Sequence, residues 1–343
     1  MATVQGRDIV VVAASAGGLE PLRTVLASLP ADLPACVLVV LHIPATGGRA
    51  LPGILDRSGA LRAAAATDGE RLTPGRVYVA PPDHHLMIAG GLVRASRGPR
   101  QNGLRPAADP LFRSAALYGG PRVIAVVLSG TLDDAALGSA TVERRGGQVI
   151  VQDPEEAAYD SMPRSAAAAT ENAVIKPAGQ IPALLARLVG EEVEMRPAET
   201  ADELEAEVRG LLAGDPQTVT ETRQSTDFTC PECGGPLYYA QEHRAGSYDC
   251  LVGHKWSPQT LLEEQTTAVE RALWLAIRSL DERARLTAGL AGAARQRGHA
   301  LSAAKFSDVA KEASEAADAI RGVTNGLDPV PGELEEPAPE AAG

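Results

Sequence analysis

The feature that most limits what this chain can fold into is a set of short, unbroken apolar runs, each ending abruptly in small or polar residues. Residues 9–14 read Ile-Val-Val-Val-Ala-Ala, and similar runs occupy 37–41, 77–80, 123–128 and 148–152. They are too short for helices and too uniformly apolar for strands with one wet face. They therefore predict buried parallel strands, with the helical stretches between them as crossovers. The first of these stretches carries Leu22, Val25, Leu26 and Leu29 at helical spacing. Residues 86–93, with Gly90-Gly91 inside, predict a hairpin. The expected fold class over residues 1–190 is α/β, a mostly parallel doubly wound sheet covered on both faces.

Beyond residue 190 the pattern changes. Residues 191–227 are rich in charged and small side chains and predict a polar linker with one short helix near 201–212, stopped by Gly214, Asp215 and Pro216. Residues 228–257 hold three of the four cysteines and predict a small zinc-ribbon-like module. An α-helical hairpin follows over 258–325. Its first helix carries Val269, Leu273, Ile277 and Leu280 on one face and ends near Gly298, and the second covers that face. The Pro- and Glu-rich residues 326–343 predict a disordered tail.

Bulk properties narrow the function classes. The net charge of −12 argues against a general nucleic-acid binder, and Arg244 and Lys255 are too few to make the cysteine module one. No stretch has the apolar length of a membrane span, and the start has no signal-peptide pattern. A cytoplasmic protein without membrane insertion is expected, and cysteines there suit a metal better than disulfides.

Three strand ends carry chemistry. The first run meets Ser15-Ala16-Gly17-Gly18, a bend that exposes a hydroxyl just before a helix whose free N–H groups could stabilise an oxyanion. The second ends in His42-Ile43-Pro44, and a serine needs such a base. The fourth leads into Ser129-Gly130-Thr131-Leu132-Asp133-Asp134, where one carboxylate could orient the imidazole. Each group also has an ordinary explanation, helix capping above all, and the residues alone leave Asp133 and Asp134 as rivals. The order Ser, His, Asp differs from that of α/β hydrolases. A dinucleotide-binding oxidoreductase would need a Gly-x-Gly-x-x-Gly turn that the first run lacks.

These segments resemble the catalytic domain of the CheB-type chemotaxis protein-glutamate methylesterases. The resemblance rests on 13–18 and His42-Ile43-Pro44, on 75–86 (Gly-Arg-Val-Tyr-Val-Ala-Pro-Pro-Asp-His-His-Leu), on 105–114 (Arg-Pro-Ala-Ala-Asp-Pro-Leu-Phe-Arg-Ser), and on 128–135 and 152–163. It implies a serine hydrolase that removes methyl esters from glutamate side chains of methylated receptor cytoplasmic domains, extending to deamidation of glutamines, with no catalytic cofactor. It assigns Ser15 as nucleophile, His42 as base and Asp134 as acid. Ala13, Ala16 and Thr131 stand where the family usually has Gly, Thr and often Met. Only about seven residues precede the first strand, so the family's usual receiver domain, and with it phosphorylation in cis, is not expected.

Cys230-Pro231-Glu232-Cys233-Gly234-Gly235 and Cys250-Leu251-Val252-Gly253-His254 together supply three thiolates and one imidazole. That set closes a tetrahedral zinc site with no open position, which means structure rather than catalysis. His243 is a reserve ligand. The module resembles a C-terminal extension on some receiver-less members of the family, and the helices after it offer a docking surface for a partner. The rival functional reading is a non-catalytic signalling or docking protein built on the same fold.

Overall fold

The computed structural model describes residues 3–42, 50–195, 202–213, 223–242 and 245–324. The expected tail 326–343, His243, Gly214, Asp215, Pro216, and Ile43-Pro44 after His42 lie outside the described residues. The chain divides into two compact units, Met1–Leu261 and Leu262–Gly343.

In the first unit the chain runs β1 (Thr3–Gly6), β2 (Ile9–Ala14), α1 (Leu19–Ala27), β3 (Cys36–Leu41), α2 (Leu51–Asp56), β4 (Arg62–Ala65) and β5 (Arg76–Val79). Next come β6 (His85–Ala89), β7 (Leu92–Ser96), α3 (Ala108–Gly119), β8 (Val123–Val127), α4 (Ala136–Arg144) and β9 (Gln148–Gln152). The α/β part closes with α5 (Ser161–Ala169), β10 (Val174–Lys176), α6 (Ile181–Leu188) and β11 (Glu192–Met195).

Seven strands form one parallel sheet in the order β10-β9-β8-β2-β3-β5-β4. β2 is central, with β3 on one side and β8 on the other. The chain leaves β2 in one direction and later returns to its opposite flank. That is the strand-order switch where an open α/β sheet leaves a crevice at its carboxyl edge. The uniform apolar runs follow from burial of both faces. Ile9, Val11 and Ala13 pack under α3, α4, α5 and the β6–β7 hairpin through Phe112, Val142, Met162 and Ile88. Val10, Val12 and Ala14 pack under α1, α2 and α6 through Leu22, Leu55 and Leu185. The alternation is the strand's period of two, with apolar residues on both sides.

Some elements had no local signal. Edge strand β4 reads Arg-Ala-Ala-Ala, without a β-branched residue. β1 pairs antiparallel with β11, almost the whole α/β segment away in sequence. The helix expected near 201–212 is α7 (Asp202–Ala213), and it is packed. Val208 and Leu211 are buried against Met87, and Ser96 Oγ donates to the Leu211 carbonyl at 2.5 Å.

Residues 223–256 build a four-stranded antiparallel sheet from β12 (Gln224–Thr229), β13 (Pro236–Glu242), β14 (Ala245–Cys250) and β15 (Lys255–Trp256). Its small core is Cys230, Leu237, Cys250, Trp256 and Leu261. α8 (Pro258–Gln296) begins directly after it.

The second unit pairs α8 with α9 (Ala300–Thr324). Arg295 meets Ser307 and Arg321 meets Asp281, so the two run antiparallel. Gly298, at φ +75°, makes the turn, and His299 N donates to the Ala294 carbonyl, closing the first helix. Cover of the expected face is partial. Ile277 is buried, whereas Val269 is 52% exposed.

Candidate active site

Backbone hydrogen bonds join the ends of β3, β2 and β8. His42 N donates to the Ala14 carbonyl (3.0 Å), Leu128 N to Ala13 (2.9 Å) and Ser15 N to Ser129 (2.9 Å). The turn after β2 packs so closely on the turn after β8 that glycine is required in both. A Cβ on Gly18 would lie 2.7 Å from the Ser129 carbonyl oxygen, and one on Gly130 only 2.8 Å from Ser15 Cβ. Ser129 fixes the two turns together. Its hydroxyl donates to the Ala16 carbonyl (2.9 Å) and accepts from Tyr159 N (3.0 Å), and its own N–H reaches Gln152 Oε1 (2.9 Å).

Ser15 is half-buried at this junction. α1 starts four residues later from Gly18, which makes no side-chain cap bond, and with Pro21 lacking an N–H the first-turn donors beside the serine turn are the Leu19 and Glu20 amides, which have no partner among the described residues. His42 is largely buried, and its Nε2 lies 2.7 Å from Asp134 Oδ2. With Nε2–H directed at the carboxylate, Nδ1 is left to accept a proton. Among the described residues the Ser15 hydroxyl makes no hydrogen bond to the ring; such contacts commonly tighten only when substrate is bound.

The two neighbouring carboxylates have different partners. Asp134 accepts not only from His42 but from Ala108 N (2.6 Å) and Asp109 N (3.1 Å), the first amides of α3. It thus caps α3 rather than the helix that follows it. Asp109 returns the arrangement, accepting from Gly138 N (2.6 Å) in the first turn of α4. Burial alone pushes the Asp134 carboxyl up. The bond and charge of His42 and the two amides outweigh that, leaving it below the ordinary range. Asp109 goes the other way, held well above the carboxylate range by burial and by the charge of Asp134, against the pull of Arg113 and the Gly138 amide. Asp133 turns away from the ring and accepts from Ser257 Oγ (2.7 Å) and Thr260 Oγ1 (2.9 Å), and burial raises its carboxyl despite those bonds.

Behind the site His85 is fully buried. Its Nε2 donates to the Pro99 carbonyl (3.0 Å), Ala107 N donates to its Nδ1 (3.3 Å), and burial lowers its pKa to about 4.

Cys230, Cys233, Cys250 and His254 converge, with their ligand atoms all within 4.8 Å of one another. The separations are 3.7 Å for Cys233 Sγ to Cys250 Sγ, 3.7 Å for Cys230 Sγ to His254 Nδ1 and 3.5 Å for Cys250 Sγ to His254 Nδ1. A tetrahedron with Zn–S bonds of about 2.3 Å has edges of about 3.8 Å, so the donor set fits a tetrahedral metal. Trp256 Nε1 donates to Cys230 Sγ at 3.4 Å, the outer-sphere bond that such a thiolate wants.

Sequence reasoning did not find Asp109, Ser257 or Thr260. Ser257-Pro258 is a readable helix start, a capping residue followed by proline. No local pattern tells that its hydroxyl meets a residue 124 positions earlier.

Comparison with known proteins agrees over the α/β part. Residues 10–185 match the CheB methylesterase family profile. A Methanosarcina mazei protein-glutamate methylesterase/protein-glutamine glutaminase is 37% identical over 165 residues, covering 46% of this chain and 45% of the relative. One from Caulobacter vibrioides is 39% identical over 179 residues (51% and 52%), and one from Anaeromyxobacter dehalogenans 42% over 172 (49% and 50%). The chain thus spans about half the length of the curated relatives it matches. The crystal structure of the Thermotoga maritima CheB methylesterase catalytic domain superimposes with a TM-score of 0.50 at 35% identity, over 53% of this chain and 98% of that one.

Proposed function

The chain belongs to the CheB methylesterase family, and on that footing we propose that it hydrolyses methyl esters on glutamate side chains of chemoreceptor-type proteins, and deamidates glutamines at such sites. Ser15 is the nucleophile, His42 the general base and Asp134 the group that orients and stabilises the imidazolium. The observation that carries this reading is the buried 2.7 Å bond between His42 and Asp134 beside the half-buried Ser15.

Ser15 Oγ attacks the ester carbonyl as His42 Nδ1 takes its proton. The tetrahedral oxyanion lies toward the uncapped amides of α1. His42 then gives the proton to the leaving methoxide, releasing methanol and an acyl-serine. Water, deprotonated by the same nitrogen, attacks the acyl-serine carbonyl; the bond to Ser15 Oγ breaks, that oxygen takes the proton back from His42 Nδ1, and glutamate is freed. A glutamine substrate follows the same path with ammonia as leaving group. Asp134, fixed by Ala108 N and Asp109 N, keeps the proton of the neutral ring on Nε2 throughout.

We assign 1–190 as the catalytic segment, 191–227 as linker, 228–257 as ribbon, 258–325 as helical hairpin with a docking role toward a partner, and 326–343 as tail. Cys230, Cys233, Cys250 and His254 hold a structural zinc, whose chemistry there is to cross-link the ribbon and not to touch substrate. No described helix is long and apolar enough to cross a membrane, which suits the cytoplasmic location the substrate requires. The test is methanol release from a methylated receptor fragment. Wild type should release it and Ser15→Ala should not; near-equal rates would overturn the assignment.

A further inference from the structure

We propose that Ser257 and Thr260 are positioning residues for this reaction: through Asp133 they hold the turn that presents Asp134 to His42, and the cysteine–histidine cluster in turn holds them. The proposal rests on the reading of Ser15, His42 and Asp134 given above.

The turn between β8 and α4 is costly to maintain. Leu132 (φ +63°) and Ala135 (φ +80°) flank the two aspartates in the left-handed region, where side chains with a Cβ are disfavoured. Such a conformation persists only where its surroundings over-determine it. Asp134 is held from the sheet side by His42 and by α3. Apart from its own backbone amide, the groups that hold the Asp133 side chain among the described residues come from the C-terminal segment, with both hydroxyls donating to the same oxygen, Oδ1. Ser257 has one proton to donate and gives it to Asp133, while its lone pair accepts Thr260 N (3.0 Å) and caps α8. The bond that starts the helix and the bond that holds the acid turn therefore share one oxygen.

Ser257 is three residues beyond the ligand His254, and the segment between is anchored on both sides. Cys250 N donates to the His254 carbonyl (3.0 Å), closing the ligand loop. Gln101 Nε2 then reaches the Gly253 carbonyl (3.0 Å), Asn102 N the Lys255 carbonyl (2.8 Å), and Ser257 N donates to Asn102 Oδ1 (2.8 Å). Lys255, 6% exposed, pairs with Glu207 of α7 at 3.1 Å, and Glu207 also meets Arg113 of α3. A continuous set of short polar contacts thus runs from the metal-ligand loop to the residue next to the acid. A loop pulled closed by four ligands fixes Ser257; an open one leaves it free to move.

The test uses the full-length chain. Two readouts are followed: kcat and KM on a small soluble ester, and the low-field NMR proton of the His42–Asp134 hydrogen bond. In Ser257→Ala/Thr260→Ala, kcat should fall about 10- to 100-fold, as for a misplaced orienting group, with KM nearly unchanged and the low-field proton lost. Ser257→Thr, which keeps the hydroxyl, should retain both. A double variant that loses only thermal stability, with kcat and the low-field proton those of wild type, would overturn the proposal. Should that variant fail to fold, amide exchange over 131–137 in the wild-type chain decides. Removal of zinc by a chelator should speed exchange there at least about tenfold, reversibly on adding zinc back, while β2, β3 and β8 stay protected. Unchanged exchange would overturn the proposal. Activity surviving Ser15→Ala would sink the functional reading while leaving the low-field proton in place, so the two failures are distinguishable.

Discussion

The strand-end cluster and the cysteine–histidine ribbon both hold polar groups in fixed relation, from opposite resources. Ser15, His42 and Asp134 sit on the rim of a sheet whose two faces are each sealed by helices. The described core of the ribbon is four buried apolar or cysteine residues with Leu261 of α8 against them, and two of the four are candidate metal ligands. Geometry in the first follows from the core beneath it, and in the second the ligands make up much of the core. Loss of a metal from the cysteine–histidine cluster should therefore be a local event for the rim and a folding event for the ribbon.

The sharpest way to break this comparison is chelation. Structural zinc contributes on the order of 10 kcal/mol to a module of this kind. Amides of β12, β13 and β14 should lose their exchange protection when metal is removed, while those of β2, β3 and β8 keep theirs. Equal loss in both regions would mean that the sheet depends on the ribbon for its fold. Next in size is Asp134→Asn, which turns the imidazole toward the wrong tautomer and should lower kcat about 10⁴-fold with the fold intact. Stopped-flow or steady-state ester hydrolysis measures it, and a loss under about tenfold would place the orienting role elsewhere.

A pH scan sharpens the comparison from the sheet side. His85 titrates near 4 in the folded chain and near 6.5 unfolded. The unfolded chain takes up the proton first, so this contribution is complete above about pH 6.5 and is lost as pH falls toward 4, amounting to about 3 kcal/mol. Urea unfolding at pH 7 and pH 4.5 should show that loss, and His85→Gln should flatten it. The smallest effect belongs to the ribbon. Trp256→Phe removes the N–H···S bond to Cys230 and should weaken zinc binding about tenfold without unfolding the loaded protein. Competition with a chromophoric chelator would measure it.

Legibility divides along the same line. The strands with uniform apolar runs are readable because burial on both faces leaves no alternative for Val10-Val11-Val12 or Val37-Leu38-Val39. β4 is not, because Arg62-Ala63-Ala64-Ala65 takes its strand form from its neighbour β5. Two adjacent carboxylates, Asp133 and Asp134, look alike in sequence, and the residues alone leave their roles open. What separates them is the first turn of α3 on one side and Ser257 with Thr260 on the other, both distant in the chain. Likewise α7 could be anticipated as a helix, but its docking on Met87 depends on a surface that exists only after the hairpin and α3 have assembled.

The placement of β2 bears on how this protein comes into being. Ile9 must pair with Cys36 on one flank and with Val123 on the other. During synthesis β2 leaves the ribosome before β8, and this second neighbour appears only after more than a hundred further residues. Until then one flank of an entirely apolar strand has no partner, which is the situation in which nascent chains attract chaperones or pair wrongly. Ser15 and His42 lie on early segments and Asp134 on a late one, so a newly made chain cannot assemble all three side chains before β8 has locked in. Such long sequence separation also predicts slow acquisition of the native state, in milliseconds to seconds rather than microseconds.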